Sequence, residues 1–149
     1  MVGQKKKEGD VSRSKILAID DEPDVLEFLQ LVLDRSGYDV ATSSNGTDGL
    51  IKAHIEEPQL ILLDIMMEEM DGWETLRLLK LDDRSREIPV VVLSARSEPK
   101  DKIRALQEGA VDYIIKPFSV TESLEKIRMI LGRNGDDGDS GSDDRSAST

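Results

Sequence analysis

Five short apolar runs recur along the chain: Ile16 to Ile19, Tyr38 to Thr42, Leu60 to Leu63, Val90 to Leu93 and Val111 to Ile115. Three of them are nearly unbroken in Val, Ile, Leu and Ala, the pattern of strands covered on both faces. Between them the apolar residues take helical spacing. The first such stretch puts Val25, Leu26, Leu29, Val32 and Leu33 on one side and stops at Gly37. The second covers about Thr47 to Glu57. The third opens at Asp71, with Glu74 three residues on, and carries Trp73, Leu76 and Leu79 inward. The fourth starts near Pro99 and carries Ile103 and Leu106 before Gly109. The fifth begins with the capping box Ser119-x-x-Glu122 and then aligns Leu124, Ile127 and Leu131. Strand and helix alternate five times, which predicts an α/β fold with a parallel sheet and helices on both faces.

The 149 residues suffice for one domain with a real core and not for two. No apolar run approaches the length of a membrane span, and the polar, lysine-bearing start does not read as a secretory signal. With no cysteine there are no disulfides and no thiol chemistry, which fits a cytoplasmic protein. Residues 1–13 and 133–149 are polar and are expected to be a disordered head and a disordered acidic tail around a domain at 14–132. A tail of that size is too short to be an output domain. Of the net charge of −11, the tail contributes −3 and the head +2, so the folded part carries about −10. Such a surface argues against direct binding to a nucleic-acid backbone.

In an open parallel sheet, ligands bind beyond the carboxyl ends of the strands. Asp20 and Asp21 stand at the end of the first strand, Asp64 at the end of the third, Ser94 at the end of the fourth and Lys116, followed by Pro117, at the end of the fifth. Singly, an Asp after a strand is usually a turn or cap residue, and Asp24, Asp48 and Asp71 are read as caps or surface. Together, three carboxylates, a hydroxyl and an ammonium meet at one edge. Two unit charges about 5 Å apart repel by roughly 3 kcal/mol at an effective dielectric of 20. Lys116 offsets part of this and a divalent cation more. An all-oxygen ligand set without His or Cys points to Mg²⁺ or Mn²⁺. The single histidine, His54, is read as a surface residue.

These residues resemble the response-regulator receiver family in its single-domain form. The match runs from about Lys15 to Leu131. It includes Asp20-Asp21, the run Leu62-Leu63-Asp64-Ile65-Met66-Met67, Met70-Asp71-Gly72, Ser94-Ala95, Gly109-Ala110, and Asp112-Tyr113 leading to Lys116-Pro117-Phe118. The resemblance implies a doubly wound five-stranded sheet in the order 2-1-3-4-5 and a cis Lys116–Pro117 peptide. It implies that Asp64 is the phosphoacceptor and that Asp21, Asp64 and the Met66 carbonyl bind the cation directly, with Asp20 acting largely through water. Lys116 would pair with the phosphoryl oxygens, Ser94 would hydrogen-bond to them, and Tyr113 would be the aromatic switch. The implied partners are a histidine kinase or histidine phosphotransfer protein as donor and a downstream protein as target. The implied activity is that of a signalling switch that promotes its own phosphotransfer and dephosphorylation, not of an enzyme acting on other substrates.

The chain departs from the family pattern in two places. Glu68, followed by Glu69, stands where a proline is common, so the loop from Ile65 to Met70 is expected to be more mobile than in proline-bearing relatives. Val111 stands where regulators that dimerise through the fourth helix, fifth strand and fifth helix usually have an acid, although Lys102 and Arg128 match basic positions of that face. A monomer or a weak phosphorylation-linked dimer is the expectation. Other classes fit less well. A haloacid dehalogenase-type phosphatase needs Asp-x-Asp after its first strand. A flavin mononucleotide binder needs a glycine- and hydroxyl-rich loop where Asp20-Asp21-Glu22-Pro23 would repel phosphate. A degenerate docking receiver would lack some of the five site residues.

Overall fold

The computed structural model describes residues 13–67 and 71–135, with side chains described as far as Gly132. Strands and helices alternate as β1 (Lys15–Ile19), α1 (Pro23–Arg35), β2 (Asp39–Ser43), α2 (Gly46–Ile55), β3 (Leu60–Asp64), α3 (Gly72–Leu81), β4 (Val90–Ser94), α4 (Pro99–Gln107), β5 (Asp112–Ile115) and α5 (Val120–Gly135). All four strand pairings are parallel, in the order β2-β1-β3-β4-β5. The alternation and the strand order match the expectation from sequence. Glu68, Glu69 and Met70 lie outside the described residues, and so does the expectation attached to their loop. The same holds for the expected head up to residue 12 and for the tail from residue 136. Arg13 is described, and its guanidinium donates to the carbonyls of Asp34, Gly37 and Tyr38. The last helix continues to Gly135, past the expected boundary at 132.

The near-continuous apolar strands are explained by a two-sided core, because successive side chains point to opposite faces. Leu17, Ile19, Ile61, Leu63, Val90 and Val92 pack under α2, α3 and α4, against Ala53, Leu76, Leu79 and Ala105. Ile16, Ala18, Leu60, Leu62, Val91 and Leu93 pack under α1 and α5, against Leu29, Leu33, Ile127 and Ile130. Helix starts follow local chemistry. Pro23 occupies the first turn of α1. The Asn45 side chain accepts from the Asp48 N–H, Asp71 accepts from the Glu74 N–H, and Ser119 Oγ accepts from the Glu122 N–H. Asp48, read from sequence as a cap or surface residue, stands in the first turn of α2, accepts from the Ser43 hydroxyl and pairs with Lys52.

Two positions differ from a simple amphipathic reading. On α4 the buried residues are Asp101 and Ala105, whereas Ile103 and Leu106 are exposed. His54 is only partly exposed, and its Nε2 lies 2.9 Å from Asp82 Oδ2, at the C-terminal cap of α3. Among the described residues no helix is long and apolar enough to cross a membrane.

Gly72 is where α3 begins against the end of β3. A Cβ there would lie 2.1 Å from Ile65 Cα and 2.5 Å from the Asp64 carbonyl oxygen, both backbone atoms that cannot step aside. Gly72→Ala is expected to cost about 1–3 kcal/mol in urea unfolding. Gly132→Ala, where nothing lies within 4 Å of the added methyl, should instead stabilise slightly. Equal unfolding midpoints for Gly72→Ala and the wild type would contradict the close approach.

Candidate functional site

The strand register assembles the site. Ile19 pairs with Leu63, so Asp20 and Asp64, one residue further on, reach the same level on adjacent strands. Asp64 pairs with Leu93, and Ser94 with Ile115. The backbone carries this order just past the strand ends: the Asp20 N–H donates to the Ser43 carbonyl, and the Lys116 N–H to the Ser94 carbonyl. The Lys116–Pro117 peptide is cis, as expected. The five residues singled out from sequence therefore lie at one edge of the sheet.

The Lys116 ammonium is the centre of the arrangement. Its Nζ lies 2.8 Å from Asp20 Oδ2, 3.0 Å from Glu22 Oε1 and 3.2 Å from Asp64 Oδ2. The side chains of Asp20 and Asp64 are 0% and 4% exposed, and that of Lys116 is 14% exposed. Oxygens of Asp20, Asp21 and Asp64 come within 4.8 Å of one another, close enough to share one cation. Asp64 Oδ1 also accepts from the Met66 N–H at 2.9 Å, which fixes the carboxylate plane. An open cleft of about 1140 Å³ lies over these groups. Its lining includes Asp21, Asp64, Met66 and Lys116, with Val25, Phe28, Pro117 and Phe118 on an apolar side. The donor set suits a hard divalent ion such as Mg²⁺, since it offers carboxylate oxygens and no imidazole or thiolate.

Burial raises the Asp20 carboxyl from 3.8 to about 6. Hydrogen bonds from Lys116 and the Glu22 N–H work against this, and the Asp64 charge adds to it. For Lys116, burial alone would lower the pKa. Hydrogen bonds to Asp20 and Glu22, with the charges of Asp20 and Asp64, outweigh it, and the net shift is upward.

Ser94 is fully buried, and its Oγ accepts from the Arg96 N–H at 3.0 Å. Tyr113 is 5% exposed, packed in the cluster that contains Ala105 and Ala110, and its hydroxyl donates to the Arg96 carbonyl at 3.0 Å.

A match to the family model described as the response regulator receiver domain covers residues 16–128. The chain belongs to the response regulator receiver family. Among relatives of this receiver domain, the alkaline phosphatase synthesis transcriptional regulatory protein PhoP of Bacillus subtilis is 42% identical over 120 residues, 80% of this chain and 49% of PhoP. The DNA-binding response regulator MtrA of Mycobacterium tuberculosis H37Rv is 37% identical over 128 residues, 86% of this chain and 55% of MtrA. The chain thus spans about half the length of these relatives. Among solved structures, the receiver domain of the Francisella response regulator 1452 superposes with a TM-score of 0.77 at 28% identity, covering 82% of this chain and 99% of that one. The chemotaxis protein CheY4 of Vibrio cholerae gives 0.76 at 25% identity, covering 80% and 99%.

Sequence reasoning missed the part Glu22 plays in this receiver. The signal available was its place directly after the acidic pair and before Pro23. The reading used it only as charge that repels phosphate. The Tyr113–Arg96 and His54–Asp82 contacts had no local signal, because each joins residues from different elements.

The raised Asp20 pKa makes a prediction for the receiver in chelator. The folded form binds this proton more tightly than the unfolded form, so the resulting stability is full below about pH 3.8 and is lost as pH rises through about 6. Between pH 4.5 and 6.5 the unfolding free energy should fall by up to about 1 kcal/mol per pH unit from this group. Asp20→Asn should flatten that slope. Denaturant titrations with matching slopes for the two proteins would refute the assignment.

Proposed function

We propose that this receiver accepts a phosphoryl group on Asp64 from a phosphohistidine and changes conformation to control a partner protein. The observation that carries the reading is the Lys116 ammonium within 3.2 Å of Asp64 and 2.8 Å of Asp20, with Asp21 at cation-sharing distance. In the transfer, a carboxylate oxygen of Asp64 attacks phosphorus, the P–N bond to the donor imidazole breaks, and the imidazole takes up a proton. Asp21, Asp64 and the Met66 carbonyl would hold Mg²⁺ or Mn²⁺ directly, with Asp20 acting largely through water. The ion would supply positive charge to the phosphoryl oxygens. Lys116 supplies a second positive charge to the same oxygens, and the Met66 N–H keeps Asp64 oriented.

The donor in this reading is a histidine kinase or a histidine phosphotransfer protein, and the site lies in the cytoplasm. PhoP and MtrA are named as a transcriptional regulatory protein and a DNA-binding response regulator. By analogy the output of this receiver is the control of a protein partner or an attached effector, and the acidic receiver itself does not touch nucleic acid. Monomer and weak phosphorylation-linked dimer are both compatible with the face of α4, β5 and α5. There Val111 is exposed, Asp112 pairs with Lys126 and Arg128 pairs with Glu125. The new charge on Asp64 would attract the Ser94 hydroxyl. A charge-assisted hydrogen bond is worth about 1.5–3 kcal/mol, enough to move a two-state equilibrium some ten- to hundredfold. Ser94 and Tyr113 share a neighbour in Arg96, through its N–H and its carbonyl. Moving the hydroxyl would weaken its hydrogen bond from the Arg96 N–H.

Acetyl phosphate or phosphoramidate with Mg²⁺ should label the protein once, on Asp64, and chelation should stop it. Intact-mass analysis reads the result, and full labelling of Asp64→Asn would overturn the assignment. Ser94→Ala should still accept phosphate but show muted chemical-shift changes at Tyr113. Changes equal to wild type would remove Ser94 from the coupling.

A further inference from the structure

Among the described residues, Glu22 is the one partner of Lys116 at the rim of the cleft. An ammonium has three N–H donors, and here they face Asp20, Glu22 and Asp64. All three are occupied before any phosphoryl group arrives. Asp20 and Asp64 are buried, whereas the Glu22 side chain is 60% exposed. A second observation concerns what Glu22 does not do. It holds the N-cap position of α1, yet its side chain makes no capping hydrogen bond, while its backbone N–H donates to Asp20 Oδ1 at 2.9 Å. Its backbone N–H is held by Asp20 and its carboxylate is aimed at the ammonium.

We propose that Glu22 is a displaceable counter-ion: it saturates Lys116 in the resting receiver and is expelled when a phosphoryl group on Asp64 claims that donor. The inference rests on the phosphoacceptor reading. A phosphoryl group on Asp64 takes over the donor that now faces Asp64 Oδ2 and, with its greater charge, competes for a second; of the two remaining bonds, the one to Glu22 is the cheaper to release, because its exposed carboxylate rehydrates without backbone movement. Glu22 is thus a positioning residue. It keeps the ammonium extended over the acidic edge, and it sets a threshold that the incoming anion must exceed.

The test uses beryllium trifluoride with saturating Mg²⁺ as a stand-in for the phosphoryl group, titrated against wild type, Glu22→Gln and Asp24→Asn. Asp24 is an exposed carboxylate on the same cleft and is not a partner of Lys116, so it reports the effect of bulk charge. Glu22→Gln should bind about two- to fivefold more tightly than wild type, the scale of releasing one exposed ion pair. Asp24→Asn should gain less, and the difference should narrow at high salt. A merely structural role for Glu22 predicts weaker binding in the variant, not tighter. Affinity equal to or below wild type, or a gain matched by Asp24→Asn, overturns the inference and leaves the phosphoacceptor reading standing. Absence of saturable binding in the wild type overturns both.

Discussion

Two carboxylates held out of water on adjacent strands repel each other, and the fold tolerates them because one ammonium spans the gap. The Lys116 side chain reaches from the far edge of the sheet past β4 to Asp64 and Asp20. That reach exists only because every strand runs in the same direction, so all five carboxyl ends lie on one side. An antiparallel β5 would deliver its C-terminal lysine to the opposite edge. The helical crossovers required by parallel pairing are therefore a condition of the chemistry as well as of the core.

The same geometry explains the tight entry into α3. Asp64 is the last residue of β3, and the chain must turn away at once to leave its carboxylate open to the cleft. It returns so closely that the Gly72 N–H donates to the Ile65 carbonyl at 3.2 Å. A side chain at residue 72 would collide with the backbone that presents Asp64. The Asp64 carboxylate is thus supported from below by the start of a helix and held in plane by the Met66 N–H.

Much of this was legible in the sequence because parallel strands buried on both faces leave a plain signature. The runs Leu60 to Leu63 and Val90 to Leu93 allow few other readings. The strand ends then placed Asp20, Asp64, Ser94 and Lys116 without any further information. The order of the strands was not legible from periodicity, which records burial and not neighbours; it came from resemblance. Side-chain destinations were harder still. Glu22 was a visible acid with no visible target, since its partner lies 94 residues away. On α4 the apolar residues Ile103 and Leu106 suggested an inward face, but the helix buries Ala105 and Asp101, the latter facing Arg96 at 3.4 Å. Periodicity assumes that apolar means inside, and a helix with so few apolar positions does not obey it.

That sparse underside gives α4 a distinct mechanical character. Its links to the rest of the molecule include one alanine in the core, an ion pair to the loop that follows Ser94, and the Arg104 guanidinium lying 3.9 Å from the centre of the Trp73 ring. Few buried methyl groups mean a small area to expose when the helix tilts or frays, so it belongs to the low-stability end of the local-opening spectrum. The strands beneath it, sealed on both faces, belong to the other end. The molecule thus pairs a stiff anvil of sheet with a loosely seated helix.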